Sequence, residues 1–381
     1  MSLRRKLSRL KSAGPGSKAP VAEPIATPPI EGEDHESKAA RVKRLRRTLE
    51  ALQTPRPRAK PASGADALAG IISAQTPQRV RELQGHLPGD EVETPDGPVH
   101  LVEHLLEPHH CHGRVPAQSA LTAEGPLVAR LSLDPSFEDL DLSRMLLIDT
   151  ETTGLSIGAG TVPFLIGFAY FEDQSLWVRQ LFLKRLGDEK PMLKLLAERI
   201  RWASCVVSYN GKSFDWPLLR TRYVMNRTPA PPLPPHLDLL HCSRRVFKRR
   251  MSSVRLVDME RELLGFVREH DVSGAEIPSI YRTFLSRGEP GRLDGVIEHN
   301  AHDLVALASI LGELVRRFRE VQKEDDPSDH LGYAKVAARA GDTERAYRFA
   351  TAAAEGGGDV DCTRDAWLLK ARLSRKRGDN Q

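Results

Sequence analysis

Two acidic side chains stand close together at the end of an apolar stretch in the middle of the chain. Asp149 and Glu151 follow the run Met145 to Ile148, whose composition is typical of a buried β-strand. Because side chains alternate along a strand, residues two apart share a face, and both carboxylates therefore point the same way. Paired carboxylates repel each other unless a cation lies between them. The stretch indicates a divalent-metal site, and a solvated strand end is the alternative for these two acids alone.

Two further acids follow later in the chain, one at the start of a predicted helix and one within a long predicted helix. Asp215 lies in the first turn of a predicted helix, after a short strand and a turn at Asn210 and Gly211. A helix N-terminus favours a carboxylate, so plain capping is the alternative for Asp215. Asp303 lies on a long predicted helix one turn after His299, and the two share a face. An acid facing the core is costly unless another charge balances it.

The segments that carry these acids are D-T-E-T-T-G-L, Y-N-G-K-S-F-D-W-P-L-L and H-N-A-H-D-L-V-A-L, in that order. Together they resemble the DEDD (DnaQ-like) superfamily of 3′–5′ exonucleases, which has a ribonuclease H-like fold. The last two segments are most similar to its bacterial YprB-like branch. The resemblance covers roughly residues 140–318. It implies metal-dependent hydrolysis of phosphodiester bonds, with two Mg²⁺ or Mn²⁺ ions held by the four acids Asp149, Glu151, Asp215 and Asp303.

The chemistry of the four acids agrees with this implication. Mg²⁺ and Mn²⁺ prefer oxygen ligands, and two ions about 3.5–4 Å apart stabilise the attacking and leaving oxygens of a phosphodiester. The sequence departs from the superfamily at the residue that positions the water. One branch has a His five residues before the last Asp, where this chain has Glu298, and the other has a Tyr four before, where it has His299. We hypothesise that His299 positions or deprotonates the water, whereas His302, adjacent to Asp303, points to another face.

Candidate substrate contacts surround these acids. Thr152, Asn210 and Lys212 lie in the predicted active-site turns, and Lys212 carries the charge that a phosphate requires. Arg249 belongs to a basic run between residues 244 and 255 that follows the last predicted strand. A run placed there can follow a phosphate backbone, and a solvated helix face is the alternative.

A second group of potential ligands is interpreted differently. His109, His110, Cys111 and His112 are consecutive, and adjacent residues cannot easily turn inward to one tetrahedral ion. We therefore predict a His-rich turn without metal. The four cysteines of the chain are scattered and form no C-x-x-C pair, which favours free thiols and a cytoplasmic location.

The charge of the chain is uneven. Residues 1–60 contain 15 Lys and Arg against 6 Asp and Glu, whereas the remainder is slightly acidic, so the net charge of +5 arises in the tail. A basic tail adds sequence-independent attraction to nucleic acid, and solubility or disorder explains it equally well. No apolar run of about 18 residues and no apolar segment after the basic start are present, so we expect no membrane span and no secretory signal.

Composition and periodicity divide the chain into four predicted segments. These are a disordered basic Pro-rich tail (1–60), an irregular accessory segment with short strands (61–139), a ribonuclease H-like exonuclease domain (140–320) and a tetratricopeptide-like helical segment (321–381). In the accessory segment, strands are expected near residues 97–103 and 125–131. Strands and helices alternate between residues 145 and 318, which indicates the α/β class, and the resemblance implies a ribonuclease H-like mixed sheet flanked by helices. The helical segment is too short to stand alone and is expected to pack on the main domain or on a protein partner.

The predicted function is a metal-dependent exonuclease that acts on the 3′ end of single-stranded RNA or DNA. A structure-selective endonuclease of the same fold and a non-catalytic nucleic-acid or protein-binding scaffold are the alternatives. RNA and DNA are not distinguished, since sugar selection depends on the pocket around the 2′-OH.

Overall fold

A computed structural model describes residues 87–154 and 160–378, which belong to one compact unit. The predicted disordered tail lies outside these residues. In the described ranges, no helix is long and apolar enough to cross a membrane.

A mixed sheet of seven strands forms the centre of this unit, and a separate two-stranded hairpin lies beside it. The strands are β1 Asp90–Val92, β2 Val99–Leu106, β3 Cys111–His112, β4 Val115–Pro116, β5 Met145–Thr152, β6 Pro163–Glu172, β7 Ser175–Phe182, β8 Cys205–Ser208 and β9 His236–Asp238. The strand order in the large sheet is β1-β2-β7-β6-β5-β8-β9, and β3 and β4 form the hairpin. In the large sheet, neighbouring strands run antiparallel from β1 to β5 and parallel from β5 to β9.

Helices cover both faces of the sheet. The connections from β7 to β8 and from β8 to β9 are helical, as parallel pairing requires. The helices are α1 Gly125–Ser132, α2 Glu189–Trp202, α3 Asp215–Met225, α4 Leu239–Phe247, α5 Leu256–Met259, α6 Ile277–Arg287, α7 Leu293–Arg319, α8 Pro327–Arg339, α9 Thr343–Glu355 and α10 Val360–Arg377. The predicted α/β class, a ribonuclease H-like mixed sheet flanked by helices, is confirmed. The helical segment α8–α10 packs against α4 through α8, and its resemblance to tetratricopeptide repeats stays a prediction.

Strand β5 is the element around which both cores are built. Met145 and Leu147 contribute to the core on one face, and Leu146 and Ile148 contribute to the core on the other. The strand is therefore apolar on both sides until Asp149, where polar residues begin. Its ends are fixed by antiparallel β6 and parallel β8, so the acids after Ile148 are held in the middle of the sheet.

One expectation about local structure is wrong. Residues 125–131 form helix α1, not a strand. Pro126 lies in the first helical turn, where its missing N–H costs nothing, and Leu127, Val128 and Leu131 are buried at helical spacing. A short apolar run does not distinguish a buried strand from a buried helix, so tertiary burial decided the outcome. A second expectation from the sequence, that Ser213 caps the helix after β8, is also wrong, because α3 begins at Asp215 and its N-cap is Phe214.

The accessory segment contributes to the same sheet as the central domain. Strand β2, which the sequence predicts, pairs with β7 along its length, from His100 opposite Phe182 to Leu106 opposite Leu176. Residues on both sides of position 140 therefore share one sheet.

Candidate active site

The acids predicted from the three motifs converge at the end of β5. Oxygen or nitrogen atoms of Glu151, His299 and Asp303 all lie within 4.8 Å of one another. His299 Nε2 is 3.8 Å from Glu151 Oε1 and 3.6 Å from Asp303 Oδ2. The strand end and the first half of α7 therefore place one imidazole and two carboxylates around a common point.

Asp149 is oriented by a row of residues that crosses three strands. Asp149 on β5 lies opposite Gly167 on β6, which lies opposite Gln180 on β7. Asn300 of α7 fills the space above Gly167, since a β-carbon there would overlap its side chain. Its Nδ2 donates to Asp149 Oδ2 at 2.8 Å, and its Oδ1 accepts from Gln180 Nε2 at 2.9 Å. Gln180 also donates to the carbonyl of Ile297 at 2.7 Å, which fixes α7 against the sheet.

Asp215 enters the site from the first turn of α3. It is buried, and Oδ1 accepts a hydrogen bond from the hydroxyl of Thr150 on β5. Gly211 lies directly beneath it, because a β-carbon at this position would overlap Ser208 and lie 3.1 Å from Asp215 Oδ2. Glycine at 211 thus allows the turn before α3 to approach the end of β8, as the sequence predicts.

Asp238, at the end of β9, holds this turn from below. Its carboxylate accepts from the backbone N–H groups of Asn210 at 2.9 Å and Lys212 at 3.1 Å. It also caps α4 by accepting from the N–H of Leu240 at 3.1 Å. One buried carboxylate therefore ties the turn of the second motif to the start of the next helix, and it explains how Asn210 is kept at a φ of 69°.

The electrostatics of the cluster disfavour four bare carboxylates. Burial, together with repulsion by Asp303 and Asp215, raises the pKa of Asp149 well above its ordinary value. Burial, together with repulsion by Asp149 and the other two acids, raises the pKa of Glu151 in the same way. Burial raises the pKa of Asp215 to about 6, although the Thr150 hydroxyl opposes the change. Bringing these groups together therefore requires protons or a cation.

His299 is held from its other side. Nδ1 lies 2.7 Å from Oδ1 of Asp271, so an acid fixes the ring while Nε2 faces Glu151 and Asp303. Such an acid–imidazole pair selects the ring orientation of a metal ligand or of a general base. His302 faces elsewhere, with its ring 5.9 Å from that of His112 and 5.5 Å from that of Phe266.

Arg268 is a buried cation at the edge of the cluster. Its Nη2 donates to Oδ1 of Asp303, and its Nε lies 2.9 Å from Oε2 of Glu260. Glu260 begins a π-helical turn, Glu260–Leu264, and its other oxygen is 2.7 Å from His112 Nε2. Burial opposes the charge of Arg268, but Asp303 and Glu260 outweigh it and raise the pKa of the guanidinium. The His-rich turn thus supports the cluster through His112 and Glu260.

The predicted substrate contacts divide into two groups. Asn210 and Lys212 border the cluster in the turn before α3, and the Lys212 side chain is 40% exposed, which allows it to meet a phosphate. The hydroxyl of Thr152 donates to the carbonyl of Gly154 at 2.6 Å and so serves the loop after β5. Arg249 is not brought to the acids by its described contacts, because its guanidinium pairs with Asp359 and Asp365 of the C-terminal helical segment, each at 3.3 Å.

Several residues of the site were missed by sequence reasoning. Asn300 stands inside the third motif, and its position one turn before Leu304 on the buried face was an available signal. Asp238 had a signal too, because an acid between a strand and a helix is a common cap. Arg268, Asp271 and Gln180 carry no local signal, since only the tertiary fold brings them to the acids.

The donor set fits hard divalent cations. The atoms that face the common point are carboxylate oxygens and one imidazole nitrogen, and the four cysteines are free thiols outside this group. Oxygen-rich sites suit Mg²⁺ and Mn²⁺, and the raised pKa values of the acids give a physical reason for a cation to bind there.

Comparison with known proteins shows what the central region of the chain resembles. A family model described as RNase_H superfamily matches residues 146–315. The chain is also 35% identical over 202 residues to a protein of Bacillus subtilis (strain 168) named "Uncharacterized protein YprB". This match covers 52% of the chain and 48% of the relative, so the chain spans about half the length of that relative. Residues 146–315 are therefore similar to the RNase_H superfamily, and the chain resembles the YprB protein over 202 residues.

Proposed function

We propose that the ribonuclease H-like domain is a metal-dependent 3′–5′ exonuclease that hydrolyses phosphodiester bonds of single-stranded nucleic acid. The observation that carries the proposal is the convergence of Asp149, Glu151, Asp215 and Asp303, three of them with raised pKa values, around an imidazole held by Asp271. The match to the RNase_H superfamily supports a nuclease-type activity.

The four acids would hold two Mg²⁺ or Mn²⁺ ions. When bound, such ions supply a polarised water and stabilise the charge that develops on the leaving oxygen. Three of the acids are prepared for this role by partners of their own: Asn300 for Asp149, Thr150 for Asp215 and Arg268 for Asp303. These contacts occupy one oxygen of each carboxylate and leave the other for a ligand.

His299 would orient the attacking water and accept its proton at Nε2. Asp271 and Arg268 both lie against Nδ1, at 2.7 Å and 3.3 Å, and hold the ring so that Nε2 faces Glu151 and Asp303. Lys212, exposed at the rim, would contact a phosphate of the strand.

The test is degradation of single-stranded RNA and DNA labelled at the 3′ or 5′ end, with Mg²⁺ or Mn²⁺. The matched control is Asp149→Asn, which keeps the shape and the hydrogen bond to Asn300 but removes the charge. Stepwise shortening from the 3′ end by the wild type alone supports the proposal and identifies the sugar. Cleavage of a circular strand would indicate an endonuclease instead, and no cleavage of any strand would favour a non-catalytic scaffold.

A further inference from the structure

The basic run after β9 is separated by the tertiary structure into neutralised and unneutralised charges. Arg249 pairs with Asp359 and Asp365, and Arg250 pairs with Asp329 and Glu262. Arg245, in contrast, has no acidic partner within residues 87–154 and 160–378, and its Nη1 donates to the carbonyl of Ser132 at 3.0 Å.

Arg245 lines a cavity between α4, α8 and α10. The cavity has a volume of about 390 Å³, within the range of small-ligand pockets, roughly 300–1,000 Å³. Its floor is apolar, and its rim carries three cations and no acid. The lining residues are Arg245, Lys335, Arg339, Val336, Ala338 and Leu369, which we call the basic groove.

The charge of the basic groove is largely free. Arg339 is exposed and, like Arg245, has no ion pair among the described parts of the chain. Lys335 is 49% exposed and lies 3.5 Å from Asp365, an acid that also serves Arg249. Uncompensated guanidinium groups around a cavity attract anions, and Arg is suited to phosphate.

The four acids Asp149, Glu151, Asp215 and Asp303 are here called the acid cluster. Two series of contacts connect the basic groove to it. Asp238, which holds the Asn210–Lys212 turn, also caps α4, and Arg245 stands seven residues further along that helix. At 1.5 Å per residue, this places Arg245 about 10 Å along α4 from the turn. The second series runs through Asp134, whose Oδ2 is 3.9 Å from Lys212 Nζ, to nearby Ser132, the partner of Arg245.

We propose that the basic groove binds the part of a single-stranded nucleic acid that leads away from the acid cluster. Lys212, Arg245 and the rim of the groove form a series of cations, and about 10 Å is spanned by about three phosphates at the ~3.4 Å spacing of a stacked strand. The apolar floor offers contact area to bases or sugars without reading their sequence. This inference rests on the proposed exonuclease function and adds the path of the strand to it.

The test compares strands of two lengths. A strand of about 20 nucleotides reaches the groove, whereas a trinucleotide occupies the acid cluster alone. For Arg245→Ala/Arg339→Ala we expect a Kd for labelled oligo(dT) or oligo(U) of the longer length that rises roughly tenfold, with a salt slope smaller by about 0.7 for each phosphate that is no longer neutralised. The Kd for the trinucleotide should rise far less, so the ratio of the two Kd values separates the groove from a general loss of binding.

The matched control for the single variant Arg245→Ala is Arg249→Ala, which also removes one charge from the same region but from a residue that acids already neutralise. An equal loss of affinity in this control would refute strand binding by the basic groove, because the change in net charge would then explain the effect. Arg245→Lys/Arg339→Lys should recover most of the binding. Since Arg245 also bonds Ser132, the exposed single variant Arg339→Glu provides a second measurement that does not disturb packing.

Binding is measured in a chelator, so the groove and the activity can fail separately. If the wild type degrades strands but the groove variants bind them normally, the proposed strand binding in the basic groove is refuted and the proposed exonuclease activity stands. If the groove variants lose binding while the wild type degrades no strand, the proposed exonuclease activity is refuted and the basic groove stands as a nucleic-acid binding site.

Discussion

Arg268 and Asp303 are joined across 35 positions of sequence by a hydrogen bond from Nη2 to Oδ1. The side chain of Arg268 is only 5% exposed, and its guanidinium also contacts Glu260. A cation that touches a candidate metal ligand either positions that ligand or competes with the ion. The hydrogen bond takes Oδ1 of Asp303 and leaves Oδ2 facing His299, which favours positioning.

We therefore expect Arg268→Gln to weaken Mn²⁺ binding roughly 10- to 100-fold, the usual effect of losing a residue that orients a metal ligand. Arg268→Lys should recover part of this loss, because lysine keeps the charge but lacks the planar set of N–H donors of the guanidinium. Mn²⁺ affinity measured by calorimetry or by electron paramagnetic resonance tests the expectation. Tighter binding in Arg268→Gln would show that the guanidinium competes with the ion.

Gly167 is expected to control the site without touching substrate. A β-carbon in Gly167→Ala would overlap Asn300 and displace its Nδ2 from Asp149. We predict a fall in kcat of roughly tenfold or more, because small displacements of oriented groups are costly in catalysis. Gly187→Ala serves as a control for a general loss of glycine, since nothing lies near its β-carbon position; its φ of 101° adds local strain only. Equal kcat values in the two variants would contradict the role of Gly167.

The Asp271–His299 pair predicts that turnover depends on the orientation of the imidazole. Asp271→Ala removes the carboxylate 2.7 Å from His299 Nδ1 and should lower kcat, because Nε2 is then no longer held toward Glu151 and Asp303. His299→Ala should reduce kcat roughly 10²- to 10⁴-fold if the ring is the general base. Turnover that is unchanged in His299→Ala, with metal binding intact, would remove His299 from the mechanism.

The raised pKa values predict that the metal-free protein loses stability as pH rises. The folded pKa of Asp215 is about 6, and burial and neighbouring acids also raise those of Asp149 and Glu151. A carboxyl with a raised folded pKa binds more protons when folded, so its contribution is complete below about pH 4 and is lost through the folded pKa.

Thermal unfolding in a chelator measures this effect. Between about pH 4 and pH 7, the unfolding temperature of the wild type should fall relative to that of Asp149→Asn/Asp215→Asn, in which two repelling charges are absent. Saturating Mg²⁺ should reverse the fall in the wild type only. Parallel pH profiles of the two proteins in the chelator would refute the linkage.

Much of the site was determined by the sequence, because its key relationships are local. The alternation of β5 places Asp149 and Glu151 on one face, and the helical repeat places His299 one turn before Asp303. The central strands and the long helix were predicted for the same reason, since their periodicity depends on neighbouring residues only. Local pattern failed at residues 125–131, where a short apolar run fits a buried helix as well as a strand.

The tertiary structure alone decided which distant residues complete the site. Asn300 reaches Asp149 because the register of β5, β6 and β7 aligns Asp149, Gly167 and Gln180 in one row. The basic run is uniform charge in the sequence, yet Asp359 and Asp365, more than a hundred positions away, neutralise Arg249, whereas Arg245 has no acidic partner among the described residues. A charge acts through what surrounds it, and those surroundings are set by pairings that no local pattern encodes.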